Sequence, residues 1–305
     1  MSKPSRNLPD LTGARVLVTG ASGILGDALL RSPRFAGARG VVYAHESEHD
    51  VIRADLRDPE RAAEIISAVR PDVVVHTVAL TDVDACEGDP AAAFATNVAT
   101  TLNLADALRA LDSDRLLVYV SSDQVYSGAG PHTEHRPAPI NVYGVTKYCG
   151  ELAALRASRT LSLRTNFFGP SMVRPSFTDW IGDAAQSGRS IRLDSRAVFA
   201  PLHLDDLVAL IADCIEHDVT GTFNLGARDA MSKVEFAGEV AGHCVPDGER
   251  LVEPFAEDIP GRALRPLDLS LDVSLLEHEL GRTLPTVRAG LDRLAVPAGG
   301  SSRGA

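Results

Sequence analysis

Short, continuous apolar runs alternate along this sequence with longer segments in which apolar residues recur at helical spacing. The first run, residues 14–19, is mostly aliphatic, as expected of a strand that is buried on both faces. Similar runs predict strands at residues 41–43, 72–78, 115–120 and 161–164. The intervening segments predict helices at residues 27–34, 60–69, 90–111 and 141–157. Because strands separated by such helices pair in parallel through right-handed crossovers, we predict an α/β fold with a doubly wound parallel sheet.

The alternation becomes less regular after Thr165. Short strands are predicted at residues 190–193, 197–199 and 222–225, with helices over residues 205–216 and 233–242. We therefore predict a larger domain over residues 13–165 and a smaller substrate-binding region over residues 166–296 that partly weaves back into the sheet. Residues 1–12 and the Gly/Ser-rich residues 297–305 are expected to be flexible and disordered, respectively.

Composition and charge narrow the class of protein. The 305 residues carry 30 basic and 41 acidic side chains, a formal net charge of -11, whereas nucleic-acid binding requires a basic surface. We therefore predict no nucleic-acid partner. No window approaches the roughly 20 apolar residues of a membrane span, so we predict no membrane association. The four cysteines are widely spaced, which favours buried small side chains, no metal site and a cytoplasmic location.

Three glycines follow the first predicted strand, with the spacing Gly20-x-x-Gly23-x-x-Gly26. Gly20 permits a tight turn, Gly23 lets the backbone approach a diphosphate, and Gly26 lets the helix pack closely on the strand. The N-terminus of the following helix then faces the negative charge of the phosphates. The alternative is a strand, turn and helix without a ligand, but the position of the motif favours a dinucleotide site.

Two further groups of residues carry candidate chemistry. Tyr143 and Lys147 are four residues apart on a predicted helix, so both face one ligand, and the lysine charge should lower the pKa of the tyrosine. Ser121, Ser122 and Asp123 end the strand at 115–120, where ligands of parallel sheets bind. A serine there can polarise a carbonyl group, although capping of the strand end is the plain alternative. Within residues 132–135, two histidines and a glutamate are predicted to lie on a solvated or lid loop rather than in a zinc site. A second acidic segment could bind a cation but is predicted to be a polar loop at the rim of the site; its members are Asp82, Asp84, Glu87 and Asp89.

Together these motifs resemble the extended short-chain dehydrogenase/reductase family, and within it the dTDP-4-dehydrorhamnose reductases. Residues 72–87 resemble the third strand of that group and its loop A-x-T-x-V-D-x-x-E. Residues 121–126, 141–151, 163–165 and 265–266 match S-T-D-x-V-F, N-x-Y-G-x-T-K-x-x-G-E, L-R-T and a late R-P. The resemblance implies a Rossmann domain that binds NADPH or NADH, and reduction of a nucleotide-linked 4-keto sugar. Ser122 would polarise the ketone, Tyr143 would donate the proton, and Lys147 would activate Tyr143 and hold the ribose.

The resemblance also implies a set of ligand-binding residues. The cofactor residues are Gly20, Ser22, Gly23, Ile24, Leu25, Gly26, His45, Asp55, Leu56, Thr77, Val78, Ala79 and Thr81, together with Tyr143 and Lys147. The substrate residues are Asp84, Asp123, Gln124, Asn166, Phe167, His203 and Arg265. Asn166 and Phe167 replace the usual Ser-Trp, and Gln124 replaces an aromatic residue, so the identity of the sugar stays open.

Cofactor preference and reaction type have alternatives. Glu46 favours NADH, whereas His45, Ser47 and Arg53 favour the 2′-phosphate of NADPH, towards which we lean. An epimerase or dehydratase of the same fold is the first rival, but Gln124 stands where a dehydratase has a glutamate. A non-catalytic subunit resembling that of methionine adenosyltransferase is the second. The expected partner is a nucleotide-sugar substrate, and a homodimer is kept open.

Overall fold

A parallel sheet of seven strands organises the protein, described here as a computed structural model of residues 11–43, 49, 51–111 and 114–294. The strands of the described chain, including those of three smaller sheets, are β1 (Val16–Thr19), β2 (Arg39–Val42), β3 (Val51–Arg53), β4 (Val73–His76), β5 (Leu116–Val120), β6 (Arg159–Thr165), β7 (Phe167–Phe168), β8 (Ile191–Asp194), β9 (Val198–Phe199), β10 (Leu202–His203), β11 (Gly221–Leu225), β12 (Met231–Ser232), β13 (Val252–Phe255) and β14 (Asp268–Leu269). The sheet order is β11-β6-β5-β4-β1-β2-β3, and every neighbouring pair is parallel. The order reverses between β1 and β4, which confirms the doubly wound α/β prediction.

Helices cover both faces of this sheet. They are α1 (Ile24–Arg31), α2 (Pro59–Val69), α3 (Val83–Gly88), α4 (Pro90–Phe94), α5 (Thr100–Arg109), α6 (Val142–Ala154), α7 (Phe177–Gln186), α8 (Leu204–Glu216), α9 (Lys233–Cys244), α10 (Ser274–Leu280) and α11 (Val287–Leu291). Val16 and Val18 of β1 pack in one core with α1 and α8, whereas Leu17 packs in a second core with α2 and α5. Alternate residues of a strand point to opposite faces, so a continuous apolar run serves both cores. None of the helices in the described part of the chain is long and apolar enough to cross a bilayer.

Several elements differ from the sequence prediction. Residues 51–53 form the edge strand β3, where the sequence analysis predicted no strand. The acidic segment predicted as a loop forms α3, because the Asp82 side chain accepts a hydrogen bond from Ala85 N (3.0 Å) and caps the helix. The helix predicted over residues 90–111 is interrupted by a π-helical turn, Ala95–Ala99. The strand β11, from the later half of the chain, pairs in parallel with β6 at the edge of the central sheet.

The loop with two histidines is only partly solvated, because His135 is exposed and His132 is not. His132 is buried and stacks on Tyr126, with ring centroids 4.8 Å apart. Its backbone N–H donates to Ser270 O (2.9 Å), and its side chain contacts Asp268 O (2.8 Å). Among the described residues, no three His, Cys, Asp or Glu side chains are close enough to hold a metal ion. His132 therefore fastens this loop to the later half of the chain.

Candidate active site

The glycine turn after β1 forms a cradle made of backbone atoms. Gly20 adopts φ +74°, and an added Cβ would lie 2.6 Å from Thr77 Oγ1 and 3.0 Å from Val78 N. Gly23 is the N-cap of α1 and offers no side chain, so the first N–H groups of the helix stay open to an anion. An added Cβ on Gly26 would overlap Gly20 O, which explains the close packing of α1 on the turn. These features fit the diphosphate of a dinucleotide.

The other predicted cofactor residues line the same edge of the sheet. Thr77 Oγ1 donates to Thr19 O (2.7 Å) and so joins the ends of β4 and β1. Asn97, which the sequence analysis missed, lies in the π-helical turn and bonds both backbone groups of Leu80 (2.7 and 3.1 Å) and Thr146 Oγ1 (2.8 Å). Leu25 is buried and Thr81 is exposed. The partly exposed members of the predicted set are Gly20, Ser22, Gly23, Ile24, Asp55, Thr77, Val78 and Ala79.

Just after β3, the predicted cofactor residues Asp55 and Leu56 have contacts of their own. The Asp55 carboxylate accepts hydrogen bonds from the Arg57 guanidinium (2.7–3.1 Å), and these bonds lower the pKa of Asp55. The same guanidinium lies 5.0 Å from the centroid of the exposed Tyr43 ring. Leu56 points into the core. His45 lies outside the described residues, and Arg57 is a cation at this end of the sheet that the sequence analysis did not single out.

Ser122, Tyr143 and Lys147 form what we call the strand-end cluster, at the carboxyl end of β5. All three are buried, with 6%, 8% and 2% of their surface exposed. Ser122 caps a short 3-10 helix by accepting from Gln124 N (3.2 Å), and its hydroxyl donates to Asp123 (3.2 Å). The cluster thus combines a hydroxyl, a phenol and an ammonium group where parallel sheets bind ligands.

The phenol of Tyr143 is held in its protonated form. Burial raises the pKa of Tyr143 above its usual value, and a side-chain hydrogen bond with Ser122 acts against this rise. The predicted lowering of this pKa by Lys147 is therefore wrong in this structure. The tyrosine packs with Cys86 and Ala93, and Cys86 lies on α3. The raised pKa keeps the proton on the phenol, where it is available for transfer, and makes this phenol a weaker acid than a free tyrosine.

The ammonium group of Lys147 is engaged inside the protein. Its Nζ donates to Val120 O (2.7 Å) and lies 4.3 Å from the centroid of the Tyr119 ring. Burial lowers the pKa of Lys147 to about 7, whereas the negative charge of Glu151 acts in the opposite direction. The lysine therefore titrates near neutral pH, and its protonation depends on the charges around it.

Polar residues beside Ser122 form the predicted sugar side of the site. The buried Asp123 carboxylate accepts from Asn166 Nδ2 (2.7 Å), and burial raises its pKa. The Gln124 side chain accepts from Asn141 (3.3 Å), the N-cap of α6. The structure thus brings Asp123, Gln124 and Asn166 together around Ser122.

Two other predicted substrate residues have packing and capping contacts. Phe167 lies in β7 and packs against the larger core. His203 Nδ1 accepts from Asp205 N (3.2 Å), so the histidine side chain caps α8. The His203 ring meets Phe168 edge-on at 5.5 Å. These contacts explain why both residues are held in place, and their role in sugar binding stays a prediction.

The remaining two predicted substrate residues bind each other. Arg265 forms a bidentate ion pair with Asp84 on α3 (3.0 and 2.7 Å), and Ala263 N donates to the same carboxylate (2.9 Å). Asn141 Nδ2 donates to Leu264 O (2.9 Å). The hydrogen bond with Arg265 lowers the pKa of Asp84 to about 2. We call the ion pair of Asp84 and Arg265 the loop bridge, because it fastens residues 262–265 onto α3, beside the start of the helix that carries Tyr143.

Comparison with known families agrees with this arrangement. The family described as RmlD substrate binding domain matches residues 14–298. The chain belongs to this RmlD family. The membership confirms the resemblance to dTDP-4-dehydrorhamnose reductases that the motifs predicted, since the match spans nearly the whole chain.

Three relatives illustrate the range of proteins to which this RmlD family member is similar. The dTDP-4-dehydrorhamnose reductase of Burkholderia thailandensis is 41% identical, over 90% of this chain and 95% of that protein. A crystal structure of the Bacillus anthracis dTDP-4-dehydrorhamnose reductase in complex with NADP is 25% identical, with a TM-score of 0.78 over 92% of this chain and 98% of that one. Methionine adenosyltransferase 2 subunit beta of Rattus norvegicus is 29% identical, over 88% of this chain and 83% of that protein.

Proposed function

We propose that the protein is an NAD(P)H-dependent reductase of a 4-keto-6-deoxy sugar attached to a nucleotide. The observation that carries this proposal is the strand-end cluster, because it places a protonated phenol beside a serine hydroxyl. The glycine cradle lies on the same edge of the sheet. The relative from Burkholderia thailandensis supports the reaction class.

The cofactor assignment rests on the cradle and on the relative that holds NADP. When bound, reduced nicotinamide supplies a hydride to the carbonyl carbon. The open N–H groups at the start of α1 would bind the diphosphate, and Lys147 would hold the nicotinamide ribose. We favour NADPH over NADH, with dual use as the alternative.

The protein's own groups would act on the oxygen of the ketone. Ser122 donates a hydrogen bond to that oxygen and stabilises its developing negative charge. Tyr143 then transfers its phenolic proton to the same oxygen, which completes the secondary alcohol. Asp123 and Asn166 would bind hydroxyl groups of the sugar ring.

A direct assay tests this function. Purified protein is incubated with a panel of nucleotide-linked 4-keto sugars and either NADPH or NADH, while the absorbance of the reduced cofactor and the sugar products are followed. We expect one equivalent of reduced cofactor consumed per sugar alcohol formed. An altered sugar without net consumption of cofactor would point instead to an epimerase or a dehydratase, and no product from any sugar would refute the proposal.

A second candidate function is that of a non-catalytic subunit of methionine adenosyltransferase. The similarity to the rat subunit beta favours it. It predicts a stable complex with a methionine adenosyltransferase catalytic subunit and no turnover of any keto sugar. Size-exclusion chromatography of the mixed proteins, run beside the reductase assay, separates the two functions.

A further inference from the structure

A buried ion pair lies one helical turn beyond Lys147. Tyr143, Lys147 and Glu151 recur every four residues and so face the same side of α6. The Glu151 carboxylate accepts hydrogen bonds from Arg164 Nε (2.9 Å), Arg164 Nη2 (2.7 Å) and Ser121 Oγ (2.5 Å). The glutamate and arginine side chains are only 5% and 4% exposed. The inward face of α6 therefore continues past the strand-end cluster into a network of charged groups.

The network of Glu151 and Arg164 contacts the strand end and the helix that carry the strand-end cluster. Ser121, which binds Glu151, directly precedes Ser122 at the end of β5. Arg164 lies on the neighbouring strand β6 and also donates to Tyr126 Oη (2.7 Å) and Glu134 O (2.7 Å). One carboxylate thus joins the helix that carries the phenol and the ammonium to the strand end that carries the hydroxyl.

The network needs an explanation other than stability. Removing two charges from water costs several kcal/mol per ion, and replacing a buried pair by apolar side chains of similar volume is often neutral. The glutamate and arginine also satisfy several neighbouring polar groups, which fixes their geometry. Because net stability is a weak reason to bury such a pair, we attribute it to the positions that it imposes on the three elements it joins.

We infer that Glu151 is a positioning residue for the strand-end cluster: it fixes Ser122 relative to Lys147, and its negative charge stabilises the ammonium form of Lys147. Arg164 holds Glu151 in place. The inference rests on the proposed function, because that function gives Lys147 and Ser122 their roles.

The charges around Lys147 support this role. Burial alone lowers its pKa, and the negative charge that acts against this effect is that of Glu151. His76 from β4 is neutral at pH 7, because burial lowers its pKa to about 3. The uncharged Tyr119 ring on β5 faces the Lys147 ammonium. Tyr143, which lies on α6 with Lys147, is protonated and so also uncharged. Without Glu151, Lys147 should therefore lose its proton at a lower pH.

The first test is the pH profile of Glu151→Gln. We expect the alkaline limb of kcat/KM for keto-sugar reduction to move to lower pH by about one unit, since the neutral amide no longer favours the ammonium form. At pH 8 this gives roughly a tenfold loss of kcat/KM. Asp106→Asn, which removes the carboxylate of an exposed pair with Arg156, is the matched control and should leave the profile unchanged.

A double variant separates positioning from misfolding, because Glu151→Gln leaves Arg164 buried without its partner. Glu151→Gln/Arg164→Met removes both charges and should recover most of the lost thermal stability while the alkaline limb stays displaced. A profile that returns to that of the wild type in the double variant would overturn the inference.

The affinity for NADPH gives a readout that does not need a sugar substrate. Its dissociation constant, measured by cofactor fluorescence between pH 6 and 9, should rise at a lower pH in Glu151→Gln than in the wild type. If the wild type reduces no keto sugar, the proposed function fails while this binding profile still tests Glu151. If the two binding profiles coincide, the positioning role fails even when reduction is observed.

Discussion

The strand-end cluster and the loop bridge border the same predicted site but differ in their surroundings. Ser122, Tyr143 and Lys147 are less than 10% exposed, whereas the Asp84 and Arg265 side chains are 38% and 35% exposed. Burial is the main cause of the pKa shifts of Tyr143 and Lys147, while the pKa of Asp84 is set mainly by its partner Arg265. Electrostatic interactions are strong where water is excluded and weak where it is not. The strand-end cluster should therefore control the chemical step. The loop bridge should have only a modest influence on binding of the keto sugar.

Apart from removal of the Tyr143 phenol, the largest effect is expected from Ser122→Ala. Loss of a hydroxyl that stabilises the developing charge should lower kcat by about 10²–10³-fold with little change in the affinity for NADPH. Steady-state kinetics with the reactive keto sugar measures this. Ser187→Ala, which removes a hydroxyl bonded to Asp183 O at the end of α7, is the control and should retain kcat. A Ser122→Ala enzyme with wild-type kcat would remove the serine from the mechanism.

Gly26→Ala should have the next largest effect, because its Cβ would overlap Gly20 O. We expect the free energy of unfolding to fall by about 1–3 kcal/mol, as for overpacked sites, and the affinity for NADPH to fall at least about tenfold. Urea unfolding and cofactor titration measure the two effects. Gly88→Ala adds a methyl group into open space and is the matched control. Equal behaviour of the two variants would show that the cradle does not bind the cofactor.

Asp84→Asn should have a smaller effect, because exposed ion pairs contribute roughly 0.2–1 kcal/mol. If residues 262–265 close the sugar side of the site, KM for the keto sugar should rise about 2- to 5-fold while kcat stays within about 2-fold. The difference between wild type and variant should shrink in high salt. A loss of kcat as large as that of Ser122→Ala would make the bridge part of the chemistry and end the contrast between the two regions.

The smallest effect concerns acid stability. The folded pKa of Asp84 is about 2, below its usual value of 3.8, so the bridge stabilises the fold above about pH 4 and loses this contribution as the pH falls towards 2. The melting temperature of the wild type should exceed that of Asp84→Asn at pH 6, and the difference should shrink as the pH falls and vanish only below about pH 2. A constant difference across this range would show that the carboxylate charge does not matter there.

The parts of the site that local spacing determines were predictable from the sequence. The glycine turn follows a strand and opens a helix within seven residues, and Tyr143 and Lys147 share a helix face because they are four residues apart. The doubly wound sheet follows from the same alternation. The acidic segment of α3 was read as a loop, since a capping aspartate and a polar loop have the same composition.

Contacts between distant segments were not predictable in this way. Asp84 and Arg265 are 181 residues apart, and the sequence shows the chemical type of each but not that they bind each other. The position of Asn97 depends on a π-helical turn, which no residue pattern predicted. The raised pKa of Tyr143 follows from burial, which a motif does not report. Local chemistry is visible in a sequence, whereas desolvation and pairing arise only from the fold.

The most direct test of the account is the single-turnover rate of Tyr143→Phe, measured with saturating NADPH and keto sugar and compared with Tyr148→Phe. Tyr148 lies on the same helix and packs partly against the core, so its variant controls for loss of a phenol. We predict that Tyr143→Phe binds NADPH normally but forms the sugar alcohol about 10²–10⁴ times more slowly, while Tyr148→Phe matches the wild type. An unchanged rate in Tyr143→Phe would contradict the assignment of the strand-end cluster as the reducing site.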